Sequence, residues 1–342
     1  MDIIRRLGLL GLLVAISQVV IAKNNTKTVV VYSVTSFSKQ ASKAFRKATG
    51  IKVHVLERSG SGATLARITG ERLNPKADVW IGGSLGAHAQ AAFNGLTEPY
   101  RPNNFDELDP GFRDPLGNNR VTGLYTGVLG FIVNYDVLKE KQLPTPDSWQ
   151  SLLESQYHGL IGMKSPLVSG TAYTTLATLV QMMGEDAAFS YLKKLYHNLS
   201  GYTHSHTRLT SQGKLGITIT FLHEAIEEKH KFPEKNIDTI IPKEGTGYEI
   251  GGLSLIKSGP NPIAAKHFIN FILSEKGQIL FNQTNYQFPV NVKVQKFSKA
   301  PKIDKRKLIN FNFAWSGKNR QRLIDLYKQE VLANPNKAKL NY

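Results

Sequence analysis

Two rhythms of apolar residues alternate along the first hundred positions. Thr28-Val-Val-Val-Tyr-Ser33 is a continuous apolar run, as expected of a strand buried on both faces inside a parallel sheet. Residues 37–49 then carry helical spacing and stop at Gly50, a residue suited to the left-handed position that closes a helix. A second strand is predicted over 51–57, where Ile51, Val53 and Val55 alternate with polar neighbours. Ser59-Gly-Ser-Gly62 reads as a flexible turn, a helix is expected from Ala63 to Leu73, and Asn74-Pro75 closes it. Asp78-Val-Trp-Ile81, Gly82-Gly83-Ser84 and an Ala-rich helix ending at Asn94 complete a βαβαβα pattern, the mark of a doubly wound α/β sheet.

From Gly123 to Asn134 the pattern becomes one long, Gly-punctuated extended run, which predicts that the chain crosses into a second lobe. That lobe should hold a strand over 160–163, a helix after Ser169-Gly-Thr171 and another over 186–197. The strand Gly216-Ile-Thr-Ile-Thr-Phe-Leu-His223-Glu224 follows, with its helix over 224–231 and a further strand over 237–242. Gly251 to Lys257 is again extended and apolar, the return crossing, and helical spacing over 260–280 should pack back on the first lobe. The Lys-rich tail from Ala300 carries one expected helix over 320–332. Residues 23–125 with 255–342 therefore form one expected lobe and 126–254 the other, an α/β clamshell with two hinge crossings that closes on a ligand by rigid-body motion.

The ends and the composition narrow the setting. Arg5 and Arg6, the apolar run from Leu7 to Val20 and the small-residue site Val20-Ile-Ala22 have the build of a secretory signal over residues 1–22. The apolar run is shorter than the roughly 20 residues that span a bilayer. The chain has no cysteine. An exported protein without disulfides depends on a large core, and without a lipid-modified Cys it is retained only between two membranes, which points to a periplasm. Basic side chains outnumber acidic ones 43 to 26, a net charge of +17. That balance favours anionic partners. The lysines are scattered and no aromatic-basic ribbon appears, so a small anion is expected rather than nucleic acid. No Gly-x-Ser-x-Gly elbow and no paired metal-carboxylate motif marks a hydrolase, and a binder without catalytic residues, cofactor or resident metal is expected.

Several stretches in order resemble the solute-binding proteins of ABC importers of the second structural type. They are Thr49-Gly-Ile-Lys-Val53, Ala77-Asp-Val-Trp-Ile-Gly-Gly83, Gly95-Leu-Thr-Glu-Pro-Tyr100, Leu129-Gly-Phe-Ile-Val-Asn134, the strand ending at Glu224 and Gly251-Gly-Leu-Ser-Leu-Ile256. The resemblance is to the branch that binds ferric iron, thiamine, aminoethylphosphonate and hexose phosphates, and it covers the chain from about Val29 to Leu280. It implies a two-lobed periplasmic-binding-protein fold, a monomer, and delivery of a ligand to an inner-membrane permease. Ferric binders of this branch carry an adjacent Tyr pair in the second lobe; the 13 tyrosines here include no such pair. Hexose-phosphate binders place a His-acidic pair at the end of this strand and a Glu further on. The matching residues are His223, Glu224 and Glu249, with the longer Glu where the family pair has Asp. The expected ligand is accordingly a small phosphorylated organic anion, a hexose phosphate or an aminoethylphosphonate-like compound, with ferric iron as the alternative.

A strand end is where an open α/β sheet presents its binding crevice. Glu224 and Glu249 would accept hydrogen bonds from ligand hydroxyls or an ammonium, and His223 would donate. Ser61 and Gly62, and Ser169 with Thr171, precede helices whose N-termini favour an anion. Ser36 and Ser84 follow strands of the first lobe and face the same crevice, each with helix capping as its alternative role. His204-Ser-His206 would align two imidazoles for a metal if extended, though no third ligand is evident in the sequence. Arg208 nearby is suited to bidentate pairing with a phosphate.

Overall fold

The fold is that of a computed structural model, which describes residues 27–300 and 304–333. The signal-like stretch over residues 1–22 lies outside the described residues. Strand β1 (Thr28–Ser33), helix α1 (Phe37–Thr49), β2 (Lys52–Glu57), α2 (Ser61–Gly70), β3 (Val79–Ser84) and α3 (Leu85–Phe93) form the expected βαβαβα unit. Gly50 closes α1 at φ 75°, its N–H donating to the Arg46 carbonyl. The short β4 (Thr97–Glu98) and α4 (Pro110–Arg113) lead into β5 (Thr122–Asn134), thirteen residues long and buried throughout. The second lobe contributes α5 (Tyr135–Glu140), β6 (Ile161–Met163), α6 (Gly170–Met183), α7 (Glu185–Asn198), β7 (Leu199–Tyr202) and α8 (His206–Ser211). It continues through β8 (Ile217–Phe221), α9 (His223–Lys231) and β9 (Ile237–Ile240), and β10 (Tyr248–Ile256) runs back. Then come α10 (Pro262–Leu273), α11 (Glu275–Thr284), β11 (Phe288–Pro289), α12 (Val292–Gln295) and α13 (Phe313–Tyr327).

The strand order β2-β1-β3-β10-β5-β8-β6-β7 explains the two lobes. β1 pairs in parallel with β2 and β3, and β6 in parallel with β7 and β8, so each lobe has its own parallel core. β5 and β10 join them as antiparallel partners. β5 meets β10 over its first half and β8 and β9 over its second, so one strand serves both sheets. Each crossing strand is thus a continuous ribbon rather than a floppy linker. The β5–β10 register slips at Gly251 and Gly252. A Cβ on Gly251 would stand 2.2 Å from the Tyr125 ring, so the crossing requires glycine there.

Two cores flank the crossing. Val29, Val31, Phe45, Val79, Ile81, Phe268 and Phe281 fill the first, with Phe37 edge-on to Phe281 at 5.2 Å. Phe131, Trp149, Leu176, Leu192, Ile217 and Ile219 fill the second. Fully burying a side chain of this size contributes roughly 1.5–3 kcal/mol, which is how a chain without disulfides holds two lobes. Phe311 and, on α13, Leu323, Ile324 and Tyr327 belong to the second core. The same helix lies close on α3, where a Cβ on Gly317 would stand 2.4 Å from that of Ala89.

Three elements differ from expectation. The helical spacing over 260–280 is two helices: Ser274 is extended and its hydroxyl caps α11 by accepting the Gly277 N–H at 3.2 Å. A Cβ on Gly277 would stand 2.1 Å from the Phe271 carbonyl oxygen, so the corner depends on glycine while the apolar spacing runs straight through it. Helix α13 starts at Phe313, earlier than expected, with Asn312 accepting the Trp315 N–H. The turn expected at Ser59–Gly62 is only half a turn, because Ser61 already opens α2.

Candidate functional site

Between the lobes lies a cavity of about 230 Å³, lined from both sides. Its two ends differ in chemistry, and each end follows from local structure.

At one end two helix N-termini meet. α2 opens at Ser61, after Gly60, and α6 opens at Gly170, after Ser169, whose hydroxyl accepts the Ala172 N–H at 3.3 Å. The two approach so closely that a Cβ on Gly170 would stand 2.7 Å from both Ser61 Oγ and Ser84 Oγ. A Cβ on Gly83 would stand 2.5 Å from Ser61 Oγ, and Gly83 has φ 90°. Glycine at 83 and 170 is therefore what lets the Ser61 and Ser84 side chains pack directly against backbone here. Each first turn presents N–H groups without intrahelical partners and the positive end of a helix dipole. Arg58, at the end of β2, adds a charge to the lining; its guanidinium lies 4.5 Å over the Tyr32 ring and its Nε is buried without a partner. This end is suited to an anion.

At the other end stand His223, Glu224, Glu249 and Lys164. β8 ends at Phe221, so His223 and Glu224 form the first turn of α9. The His223 ring stacks on Phe221 with centroids 5.8 Å apart, and a Cβ on Gly127 of the crossing strand would stand 3.3 Å from its Nδ1. Both oxygens of Glu224 are held: Thr207 donates to one and Thr220 to the other, the latter at 2.8 Å. Glu249 lies on β10, buried, with the Thr174 hydroxyl donating to it at 3.1 Å. Tyr125 lines the cavity between them and accepts the Gly83 N–H at 3.1 Å.

The two carboxyls are driven apart in charge. Burial would raise Glu224, but Lys164, the two imidazoles and the Thr207 hydroxyl outweigh it and hold it at about 2. Burial also pulls His206 and His223 down to about 4, so at neutral pH both are uncharged and the Lys164 ammonium is the cation that keeps Glu224 ionised. Glu249 goes the other way: burial lifts it to about 8, and Thr174 and Lys164 only partly offset this. At neutral pH one carboxyl is a charged acceptor and the other a neutral group able to donate. Burial, with the neighbouring Glu249, raises Tyr125 well above the usual phenol range, which opposes a phenolate there.

Of the residues singled out from sequence, Ser61, Ser169, Thr171, His223, Glu224 and Glu249 line the cavity together. Ser36 is exposed at the start of α1, and Gly62 and Ser84 sit behind the lining. Ser84 is buried, donates its N–H to Ser61 Oγ at 2.8 Å, and so positions a lining residue. The histidines at 204 and 206 do not act as a pair: His204 is exposed at the cavity edge, while His206 is buried beside Thr207. Among the described residues no group of three His, Cys, Asp or Glu is placed to hold a metal. Arg208 is exposed and outside the lining. Sequence reading passed over Arg58, Lys164, Tyr125 and Gln287, all of which line the cavity. Arg58 and Lys164 each stand one residue after a strand, the same signal that singled out His223.

A cleft between two α/β lobes joined by two crossing strands is the geometry of a solute trap. The family model for bacterial extracellular solute-binding proteins matches residues 74–316. The chain belongs to that family. The chain is 34% identical, with a TM-score of 0.84, to the periplasmic binding protein AfuA from Actinobacillus pleuropneumoniae, whose structure holds fructose 6-phosphate; 90% of this chain and 99% of that one are covered. It is 38% identical over 300 residues to a protein of Haemophilus influenzae, covering 84% of this chain and 86% of the other. A Salmonella typhimurium periplasmic protein, provisionally named for 2-aminoethylphosphonate binding, is 30% identical over 262 residues, 72% of each chain. At 25% identity over 262 residues, 72% of this chain and 70% of the other, stands iron uptake protein A1 of Synechocystis.

Proposed function

We propose that this solute-binding protein is the periplasmic component of an ABC importer and captures a small phosphorylated organic anion, a hexose phosphate or an aminoethylphosphonate-like compound, for an inner-membrane permease. The observation that carries this reading is the division of the cleft. Two helix N-termini and Arg58 form one end, while a charged carboxylate, a neutral carboxyl, an imidazole and an ammonium form the other. A phosphoryl group suits the first end, where backbone N–H groups and dipoles favour an anion. Hydroxyls, or an amine, suit the second, where Glu224 accepts and Glu249 donates. The cavity is of monosaccharide size. The two ligand chemistries named for the relatives share a phosphorus oxyanion at one end and hydroxyls or an amine at the other, which supports the same assignment.

Ferric iron is the competing ligand. It favours hard, anionic oxygens such as phenolate and carboxylate. Among the described residues the lining offers a single tyrosine, kept protonated by burial, a glutamate that is neutral at pH 7, and an ionised Glu224 whose two oxygens are already held by threonine hydroxyls. Those groups fit a hydrogen-bonded organic ligand better. The described lining supplies donors, acceptors and a hinge, the parts a trap needs.

Calorimetric titration of the Glu224→Ala, Glu249→Ala double variant against glucose 6-phosphate and 2-aminoethylphosphonate tests the assignment. A loss of at least about a hundredfold relative to wild type is expected from removing two ligand-facing groups. Unchanged affinity would take both carboxyls out of the site.

A further inference from the structure

Arg320, on α13, is 4% exposed. Its Nε and Nη2 are buried without hydrogen-bond partners, and no carboxylate among the described residues pairs with it. Its guanidinium carbon lies 5.1 Å from the centre of the Tyr173 ring on α6. Nη2 points at the first turn of α2: it lies 3.2 Å from where a Cβ on Gly62 would stand, and the Leu167 carbonyl oxygen is 3.4 Å from that same point. The cation is thus seated behind the junction of the two helix N-termini, outside the cavity lining. Burial draws its pKa down somewhat, but an arginine in this position remains charged.

A buried charge normally carries its own counter-ion, because desolvation without one is costly. Here the Tyr173 ring face and the Leu167 and Val168 carbonyl oxygens lie near the cation as neutral groups, while the positive end of α2 adds to the charge instead of balancing it. Two helix N-termini, Arg58 on the lining and Arg320 behind it all raise the potential at one end of the cleft, and no anion among the described residues offsets Arg320. A field of that sign rewards each negative charge a ligand brings to that end.

We propose that Arg320 makes the anion end of the cleft selective for a doubly charged phosphoryl or phosphonyl group over a singly charged anion of the same shape. It acts through the first turn of α2 and the field there, as a positioning residue without ligand contact. The inference rests on the reading of the cleft as a site for phosphorylated compounds, and it adds a specificity to that reading.

The test pairs isosteres of unequal charge at about pH 7.5, where a phosphate ester carries close to two charges. Affinities are measured by calorimetry for glucose 6-phosphate against glucose 6-sulfate, and for 2-aminoethylphosphonate against 2-aminoethanesulfonate, with wild type, R320Q, R320K and G62A. Wild type should prefer the phosphorus member of the pair it binds by at least about tenfold, roughly the value of one extra charge near a partly buried cation. R320Q should lose most of that preference: each ligand charge loses the same field energy, so binding of the sulfur member falls by up to about tenfold and that of the phosphorus member by about the square of that factor. R320K should retain it, and G62A, whose methyl crowds Nη2, should lose part of it. Equal losses for both members in R320Q would assign Arg320 a merely structural role. An undiminished preference, or a wild type that does not discriminate, would overturn the proposal even if R320Q fails to fold. Binding of no member of either pair by wild type would remove the phosphorylated-ligand reading itself, and this inference with it.

Discussion

Glu249 offers a quantitative test of the electrostatics at the carboxyl end of the cleft. The folded protein holds its proton up to about pH 8, whereas the carboxyl ordinarily releases it near 4.5. The folded state therefore binds the proton more tightly than the unfolded chain. The stability linked to it is fully present below 4.5 and is lost as pH rises through 8. Each pH unit in that window removes about 1.4 kcal/mol, so moving from about pH 5.5 to about pH 7.5 costs roughly 2.5 kcal/mol. The Glu249→Gln variant keeps the shape and the hydrogen-bonding contact with Thr174, but has no proton to release. Urea unfolding of ligand-free wild type and variant at the two pH values isolates the effect, because contributions from every other titrating group cancel in the difference. The variant should gain about 2.5 kcal/mol on wild type between the lower and the higher pH. A stability difference that stays constant between those pH values would mean that Glu249 ionises like an exposed carboxyl, and the donor role assigned to it would fail.

Three further outcomes follow from the same geometry. Gly170→Ala places a methyl against Ser61 and Ser84 of the opposite lobe; it should weaken binding of a cleft ligand at least about tenfold while the ligand-free melting temperature moves by only a few degrees. Calorimetry and a thermal melt of the same sample check this, and unimpaired binding would show that closure leaves more room there than the structure gives. Lys164→Met removes the cation that holds Glu224 ionised. Carbon-detected NMR titration should then find the Glu224 carboxyl well above 2, and a carboxyl that still titrates near 2 would credit the two imidazoles and the Thr207 hydroxyl instead. Gly251→Ala drives a methyl into the Tyr125 ring at the hinge crossing; a loss of about 1–3 kcal/mol in urea unfolding is expected, and a neutral effect would show the crossing to be slack.

Much of the fold was legible because its signals are local. The runs at Val29–Val31 and Val79–Ile81 are apolar on both faces since both faces of the sheet are covered, and Gly50 marks a helix end by its backbone freedom alone. The long apolar run from Gly123 to Asn134 announced a crossing strand, and the strand, Thr122–Asn134, is buried throughout. The corner at Ser274 was not legible: α10 and α11 bury faces in register, and the break depends on how Gly277 fits against the carbonyls of Phe271 and Ile272. The site divides in the same way. His223 and Glu224 stand together in the chain, and their role follows from position after a strand. Lys164 and Arg58 stand after strands too, but only the folded cleft shows that they reach the same cavity as Glu249. Arg320 gave no signal at all, being one arginine in a Lys-rich tail until α13 is seen to bury it between the lobes.

The central claim, that the cleft receives a phosphorylated organic anion, is tested most directly by calorimetric titration of the protein from residue 23 onward with glucose 6-phosphate, 2-aminoethylphosphonate, thiamine phosphates and ferric citrate in parallel. Saturable one-to-one binding of a phosphorus compound, with no visible charge-transfer band on adding iron, is the predicted result. Tight ferric binding with a phenolate charge-transfer colour, and no heat from any phosphorus compound, would contradict it.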